Sequence, residues 1–195
     1  CTLEQVAAQL ARRMPSRCLV CGWSLGGQVA LAWAAAAPQQ IAGLALIATT
    51  PCFIRRADWP HAMEAPVFGQ FAQSLRDDCR GALQRFAALQ AMGDARDRQV
   101  QRELRKHLAS CGDMRPLECG LRLLHAADLR LQLARVVQPT LILHGERDAL
   151  TPAAAARWLQ RSLPEARLSI MADAAHAPFM SDAADCAEQL ADFFQ

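Results

Sequence analysis

The chain has 195 residues, a formal net charge of +2 and a hydrophobic fraction of 52%. Its apolar content is sufficient for a packed core and excludes an intrinsically disordered protein. The near balance of 21 basic and 19 acidic residues argues against wholesale binding to nucleic acid. The length fits one domain, with or without a small inserted subdomain.

The first predicted element is an amphipathic helix over residues 3–14, which Pro15 ends. The chain opens at Cys1, immediately before this helix, rather than at a methionine. We therefore expect a fragment that lacks an N-terminal part.

Residues 18–54 contain no Asp, Glu, Lys or Arg, which raises the possibility of a membrane span. Glycines and Pro38 divide this stretch into pieces of strand and helix length. Parallel strands covered on both faces have the same continuous apolar character, so we favour a soluble α/β core and expect no membrane association. The predicted pieces are a strand at 17–21, a turn at 22–27, a helix at 28–37 and a strand at 41–48.

The character of the chain changes after residue 48, where charges become dense and helical patterns replace strands. These patterns predict helices at 67–75, 80–92, 96–110 and 116–127. A strand at 139–144, a helix at 153–163, a strand at 168–171 and a helix at 183–194 follow. We therefore expect an α/β core at 1–50 and 129–195, with an inserted helical cap at 51–128.

Eight cysteines raise the alternatives of a disulfide framework or a zinc site. Cys18 and Cys21 form a C-x-x-C, but they lie in a predicted strand, where residues three apart point to opposite faces. The two sulfurs therefore cannot share a metal, and no second C-x-x-C follows. We expect buried free thiols in a cytoplasmic protein, with neither a metal nor another cofactor.

Residues 22–26 read Gly-Trp-Ser-Leu-Gly and match the G-x-S-x-G pattern between a predicted strand and a predicted helix. In that position Ser24 would be a nucleophile on a strained turn, and the residues two positions to either side must be small. The backbone N–H of Leu25 would be one donor of an oxyanion hole. The alternative is an ordinary glycine-rich turn.

A nucleophilic serine needs a base and a group that orients the base. His176 follows the last predicted strand and is the candidate base, and Asp148 follows the preceding one and is the candidate acid. The order Ser24, Asp148, His176 is that of α/β-hydrolases, so we predict this fold and this triad. Glu146 and Asp173 are the alternative acids.

The other four histidines are weaker candidates for a catalytic role. His61, His107 and His125 lie in the predicted cap, where a solvated or core histidine is the ordinary interpretation. His144 precedes a glycine, as in some oxyanion loops, but it follows the nucleophile in the chain rather than preceding it.

Motifs in both the core and the cap resemble the pimeloyl-(acyl-carrier protein) methyl ester esterases of biotin synthesis, the BioH family of α/β-hydrolases. The resemblance rests on the motifs at 22–27, 50–53, 58–60, 85–93 and 174–179. It implies a cytoplasmic serine carboxylesterase whose triad is Ser24, Asp148 and His176, and which acts on an ester linked to an acyl-carrier protein. We expect a monomer.

The resemblance also implies further site residues. Those expected at the substrate are Leu25, Phe86, Ala87, Ala88, Leu89, Gln90 and His176. Those expected to dock the acyl-carrier protein are Arg85, Arg98 and Arg102, and an acidic carrier would meet them through exposed charge pairs. The alternative for these arginines is a solvated helix face in an arginine-rich protein.

The sequence departs from the family pattern at two places. One family arginine falls on Gly81. The family's first strands, its His-Gly loop with a second oxyanion donor and a substrate-contacting tryptophan would all precede Cys1. Two alternatives therefore stay open: a general short-chain carboxylesterase, and an inactive fragment that binds an acyl-carrier protein.

Overall fold

A parallel β-sheet forms the centre of the computed structural model, which describes residues 2–107 and 113–195. Within those ranges the sheet has four strands, in the spatial order β1-β2-β3-β4. The strands are β1 (Cys18–Trp23), β2 (Ile41–Ile47), β3 (Thr140–Gly145) and β4 (Ala166–Met171). Because all neighbouring strands run parallel, their carboxyl ends meet at one edge of the sheet.

Five helices flank the sheet in the described part of the core. They are α1 (Leu3–Arg13), α2 (Leu25–Ala36), α7 (Ala153–Ser162), α8 (Pro178–Ser181) and α9 (Ala183–Phe193). Short 3₁₀ helices lie at Pro38–Gln40 and Arg130–Arg135. The predicted α/β class is confirmed, whereas α8 and both 3₁₀ helices are too short to have shown a period in the sequence.

Strand alternation places apolar side chains on both faces of the sheet. Ile142 packs with α1, α2 and α7, whereas Leu141 and Leu143 pack with α9. Covered faces explain the absence of charge in α2 and β2, most of which is buried. The explanation does not extend to β1, where Leu19 and Cys21 are exposed, so the expectation of strands covered on both faces is wrong for β1. Among the described helices, none has both the length and the apolar character needed to cross a membrane.

In the described residues between β2 and β3, where the sequence predicted a cap, there are four further helices. They are α3 (Ala65–Asp77), α4 (Cys79–Ala91), α5 (Asp97–Lys106) and α6 (Arg115–Ala126). The predicted end of the third helix, at 108–110, lies outside the described residues. On this arrangement we propose the same division, with the cap at 51–128 and the core at 1–50 and 129–195.

The helices α4 and α5 pack against the core as well as against each other. Ala87, Ala91, Val100 and Leu104 form one buried cluster with Ala177, which directly precedes α8. This contact matters for the site, since Ala177 is the neighbour of His176.

The cysteines depart from the expectation of free thiols. Cys18, Cys21, Cys52 and Cys186 are free, whereas Cys79 and Cys119 are disulfide-bonded. The expectation of free thiols is therefore wrong for two residues that lie in cap helices, and the expectation of burial is wrong for Cys21, which is exposed. Disulfide formation depends on which sulfurs the fold brings together, and spacing along the chain does not give that information. Cys1 and Cys111 lie outside the described residues.

Candidate active site

Ser24 lies at the junction of β1 and α2, in a backbone conformation that residues other than glycine rarely adopt. Its φ is 53° and its ψ is −117°. Such a conformation costs about 1–3 kcal/mol and persists only where the surrounding structure enforces it. Here the Ser24 N–H donates to the carbonyl of Ile47 at 2.8 Å, which ties the turn to the end of β2.

The helix begins earlier than the sequence predicted. Glycines at 26 and 27 favoured a turn up to residue 27, but α2 starts at Leu25 and Ser24 is its N-cap. The Leu25 N–H is therefore at the first helical position, where it has no acceptor within the helix. The positive end of the helix dipole faces the same place.

Gly22 and Gly27 make this turn possible. Gly22 was predicted for this role, but the other predicted glycine was Gly26 and not Gly27. A Cβ on Gly22 would lie 2.6 Å from the carbonyl oxygen of Gly26, and one on Gly27 would lie 1.9 Å from Thr49 Oγ1. A Cβ on Gly26 would meet nothing within 4 Å. The requirement for a small residue is thus met at Gly22 but was wrongly assigned to Gly26, because the early helix start turns that position toward open space.

Asp148 and His176 form a buried pair at the carboxyl ends of β3 and β4. His176 Nδ1 lies 2.8 Å from Asp148 Oδ2, and both side chains are almost wholly inaccessible. The second carboxylate oxygen accepts the N–H groups of Leu150 and Thr151, each at 2.9 Å. The Thr151 hydroxyl donates to Oδ2 at 2.7 Å. The carboxylate is therefore fixed by four hydrogen bonds.

These surroundings keep Asp148 ionised. Burial alone would raise the pKa of Asp148, but His176, His144 and the Thr151 N–H together outweigh it and hold that pKa below its usual value. An ionised carboxylate at Nδ1 fixes the imidazole tautomer and leaves Nε2 as the nitrogen that can accept a proton.

Trp23 connects the serine turn to the imidazole. Its indole N–H donates to the carbonyl of His176 at 2.8 Å, and the two ring centroids are 5.7 Å apart. Because Trp23 precedes Ser24, this bond ties the backbone of the predicted base to the turn that carries the predicted nucleophile. Within the described residues no hydrogen bond joins the Ser24 hydroxyl to the imidazole, a bond that often tightens only when substrate is bound.

His144 lies behind the acid and is a buried support for it. Its Nε2 lies 2.6 Å from the carbonyl of Thr151 and 3.5 Å from Asp148 Oδ2, and its Nδ1 has no hydrogen-bond partner. Burial lowers the pKa of His144, against the opposing influence of Asp148 and of the Thr151 carbonyl. A neutral His144 therefore donates to Thr151, whose own N–H and hydroxyl bind the acid.

The alternative acids are engaged elsewhere. Glu146 pairs with Arg157 at 2.8 Å, and Asp173 pairs with Arg147 at 2.6 Å. Of the three carboxylates that the sequence offered, the structure brings only Asp148 to His176.

The remaining histidines lie in the cap. His61 packs edge-on against Trp59, with ring centroids 5.5 Å apart. His125 packs in a tilted arrangement against Phe68, with ring centroids 5.8 Å apart. His107 follows the last turn of α5. None of the three has a contact with Asp148 or His176 in the described ranges.

The second half of α4 carries the expected substrate residues and lies against the base. The carbonyl of Gln90 accepts the N–H of His176 at 3.1 Å, and Ala87 is buried beside Ala177. Phe86 is half-buried and stacks on Phe71 with centroids 5.0 Å apart. The structure thus brings this part of α4 to the site, while the substrate role itself stays a prediction.

Two of the three expected docking arginines meet at one groove. Arg85 and Arg98 line a groove of about 400 Å³ between α4 and α5, together with Ala88, Leu89 and Met92. Arg102 lies one turn further along α5 and outside this lining. Arg85 is 3.6 Å from Asp78 and Arg102 is 3.7 Å from Glu103, both as exposed pairs.

A separate cavity of about 630 Å³ lies between α3 and α6 and contains none of the predicted triad. Its lining includes Phe68 and Leu121, which also belong to the apolar cluster around Leu150. No cluster of three or more metal-binding side chains occurs in the part of the chain that the structure describes.

Comparison with known proteins identifies relatives over almost the whole chain. A hydrolase family model described as serine aminopeptidase, S33, matches residues 2–182. A pimeloyl-(acyl-carrier protein) methyl ester esterase of Nitrosomonas europaea is 44% identical over 182 residues, or 92% of this chain and 72% of the relative. The enzyme of that name from Aromatoleum aromaticum is 44% identical over 198 residues, or 98% and 79%.

The fold is shared with solved structures of lower identity. A hydrolase from Oleispira antarctica superposes with a TM-score of 0.85 at 20% identity, over 98% of this chain and 71% of that one. This likeness confirms the predicted α/β-hydrolase fold, and at such an identity it shows the fold alone.

The glycine contacts predict unequal effects of alanine. Gly22→Ala and Gly27→Ala should each destabilise the protein by about 1–3 kcal/mol through overpacking. Gly26→Ala should be neutral or slightly stabilising, because alanine is favoured over glycine within a helix. Thermal unfolding followed by circular dichroism measures all three, and an equal loss in Gly26→Ala would contradict the assignment.

His144 predicts part of the pH dependence of stability. In the unfolded chain a histidine takes up a proton below about pH 6.5, whereas the folded state resists it, so stability falls as the pH drops through that range. His144→Gln should make the fall between pH 7 and 5 shallower, by at most one proton or about 1.4 kcal/mol per pH unit. Urea unfolding at each pH gives the slope. An unchanged slope in the variant would refute this assignment.

Proposed function

Because the chain belongs to the pimeloyl-(acyl-carrier protein) methyl ester esterase family of α/β-hydrolases, we propose that it hydrolyses the methyl ester of a carrier-bound pimeloyl chain, in biotin synthesis. The products are methanol and pimeloyl-(acyl-carrier protein). The observation that carries this proposal is the buried Asp148–His176 pair, held by Trp23 against the strained Ser24 turn.

The first half of the reaction forms an acyl-enzyme. Ser24 Oγ attacks the ester carbonyl while its proton passes to His176 Nε2, and Asp148 stabilises the imidazolium through Nδ1. The negative charge that develops on the carbonyl oxygen is stabilised by the Leu25 N–H at the start of α2. Collapse breaks the bond to the methoxy group, which takes the proton from His176 and leaves as methanol.

The second half returns the enzyme to its starting state. Water gives a proton to His176 Nε2 and attacks the acyl carbonyl, so that a tetrahedral intermediate forms again. Its collapse breaks the bond to Ser24 Oγ, which regains the proton, and the free carboxylate of the acyl chain is released. The proposed reaction needs no cofactor in either half.

The apolar surroundings of the pair suit an acyl chain. Phe86 and Leu89 of α4 belong to a cluster that includes Leu150, two residues from the acid. A methylene chain in contact with these side chains would gain about 0.8 kcal/mol for each buried CH₂. With Leu25, Ala87, Ala88, Gln90 and His176, they form the proposed substrate surface.

The basic groove suits an acidic carrier. Arg85 and Arg98 line it, and Arg102 extends the positive surface along α5. Their side chains are exposed and bear only long or solvated ion pairs, so they are free to meet carboxylates of a partner. We also propose a monomer in the cytoplasm, which acts on its carrier without nucleic acid or membrane.

Two alternatives remain to be distinguished by experiment. A general short-chain carboxylesterase would use the same three residues but would ignore the carrier. An inactive fragment that only binds an acyl-carrier protein would leave Ser24 unreactive. The family model's description names a peptidase, but relatives 44% identical are named as esterases, which favours ester hydrolysis.

A fluorophosphonate probe tests the catalytic proposal. Ser24 should be labelled covalently in the wild-type protein, and mass spectrometry should place the adduct on that residue. Ser24→Ala should not be labelled, and His176→Ala should label at least about 100-fold more slowly because the serine is no longer activated. Absence of labelling in the wild-type chain would favour the inactive alternative.

Charge reversal tests the docking surface. Arg98→Glu with Arg102→Glu should lower kcat/KM for the carrier-bound methyl ester about tenfold, or ~1.4 kcal/mol, and leave a free short-chain ester unaffected. Arg161→Glu with Arg167→Glu, on the exposed surface of α7 and β4, is the matched control. Equal losses on both substrates would count against a carrier surface at α5.

A further inference from the structure

Asp94 is a buried carboxylate in the turn between α4 and α5, and the catalytic proposal does not use it. Only 6% of its surface is exposed. Its Oδ2 accepts the N–H of Ala175 at 3.0 Å and the hydroxyl of Ser181, and its Oδ1 accepts the N–H of Arg96 at 2.8 Å. A charge buried to this degree is costly unless it is fully hydrogen-bonded, and here three donors satisfy it.

The partners of Asp94 lie on either side of the proposed base. Ala175 directly precedes His176, and Ser181 ends the short helix that follows it. The chain between β4 and α8 has no regular structure, so its backbone groups need partners from outside. The N–H of Ala175 finds its partner in Asp94, and the N–H of His176 finds its partner in the carbonyl of Gln90.

Other bonds join the same two segments. The N–H of Ala95 donates to the carbonyl of Asp173 at 2.9 Å, and the guanidinium of Arg96 donates to the carbonyl of Ser181. Arg147 donates to the carbonyl of Gly93 at 3.1 Å and pairs with Asp173. Arg96 and Arg147 take part through their side chains, but Asp94 is the side chain that binds the N–H directly before His176, so its substitution tests the connection to that residue.

We propose that Asp94 is a positioning residue for catalysis. By holding the Ala175 N–H, it fixes the backbone from which the His176 imidazole reaches Asp148 and Ser24. This rests on the proposed role of His176 as the base. A charged acceptor makes a stronger bond than a neutral one, which explains why a carboxylate is useful at this position despite the cost of burying it.

The same turn has a second face. Met92, Gly93 and Asp97 line the basic groove between α4 and α5, whereas Asp94 itself is not in that lining and binds Ala175. The segment that anchors the base therefore also forms a wall of the proposed docking groove.

A graded series of variants tests the proposal with a free short-chain ester, so that carrier docking does not enter. Asp94→Ala should lower kcat about tenfold or more with KM changed less than twofold, because the base is displaced while the substrate surface is kept. Asp94→Asn keeps an acceptor but loses the charge, so kcat should fall about threefold. The rate of fluorophosphonate labelling should fall in the same order.

A matched control separates positioning from stability. Asp128 is a partly buried carboxylate that bonds Arg56 and Arg130 away from the site. Asp128→Ala should lower the melting temperature to a degree comparable with Asp94→Ala and leave kcat within twofold at 25 °C. Unchanged kcat in both Asp94 variants would overturn the proposal, and so would an equal loss in Asp128→Ala.

Two outcomes remain. If Asp94→Ala does not fold, Asp94→Asn decides the question: a reduced kcat at unchanged KM supports positioning, and a wild-type kcat overturns it. If the wild-type protein itself is not labelled at Ser24, the proposed function fails, and this inference fails with it. Labelling of the wild-type protein with equal labelling of Asp94→Ala defeats the inference alone.

Discussion

The bond between Asp148 and His176 is the interaction on which the proposed chemistry depends. It is made in a buried place, where an ionised carboxylate is tolerated only because backbone and hydroxyl donors complete its shell. The parallel sheet makes the bond possible, since β3 and β4 end side by side and release their loops at the same edge. His144 then supports the proposed acid from behind, through its bond to the carbonyl of Thr151.

The Asp148–His176 pair requires satisfied hydrogen bonds, whereas the turn at Ser24 requires a strained backbone. Ser24 is held in a strained conformation by its bond to Ile47, and close packing at Gly22 and Gly27 leaves no room for the chain to relax. The strain places the hydroxyl at the N-terminus of α2, where unpaired N–H groups stabilise negative charge. Packing of the core thus maintains a turn that would be unfavourable in isolation.

Much of this could be predicted from the sequence because it follows from local patterns. The strands were visible as apolar runs, and the order of Ser24, Asp148 and His176 after strand ends predicted the fold. Trp23 and Asp94 were missed, since their roles arise from contacts with residues far away in the chain. Thr151 was missed for another reason: its bonds to Asp148 are local, but a threonine three residues after an aspartate has no distinctive pattern in the sequence. The start of α2 was also missed, because glycine favours turns in general. The close approach of Thr49 explains why residue 27 is glycine although it lies in the helix.

The connections made by the α4–α5 turn also bear on how the enzyme can be redesigned. Caps of α/β-hydrolases invite transplantation, since they are inserted between two strands and look modular. In this chain the cap carries part of the scaffold of the base, through Gln90, Asp94 and Ala95. We therefore expect that a chimaera with a foreign cap also needs a matching loop at 173–181, because without these hydrogen bonds a new substrate specificity would come with a lower kcat.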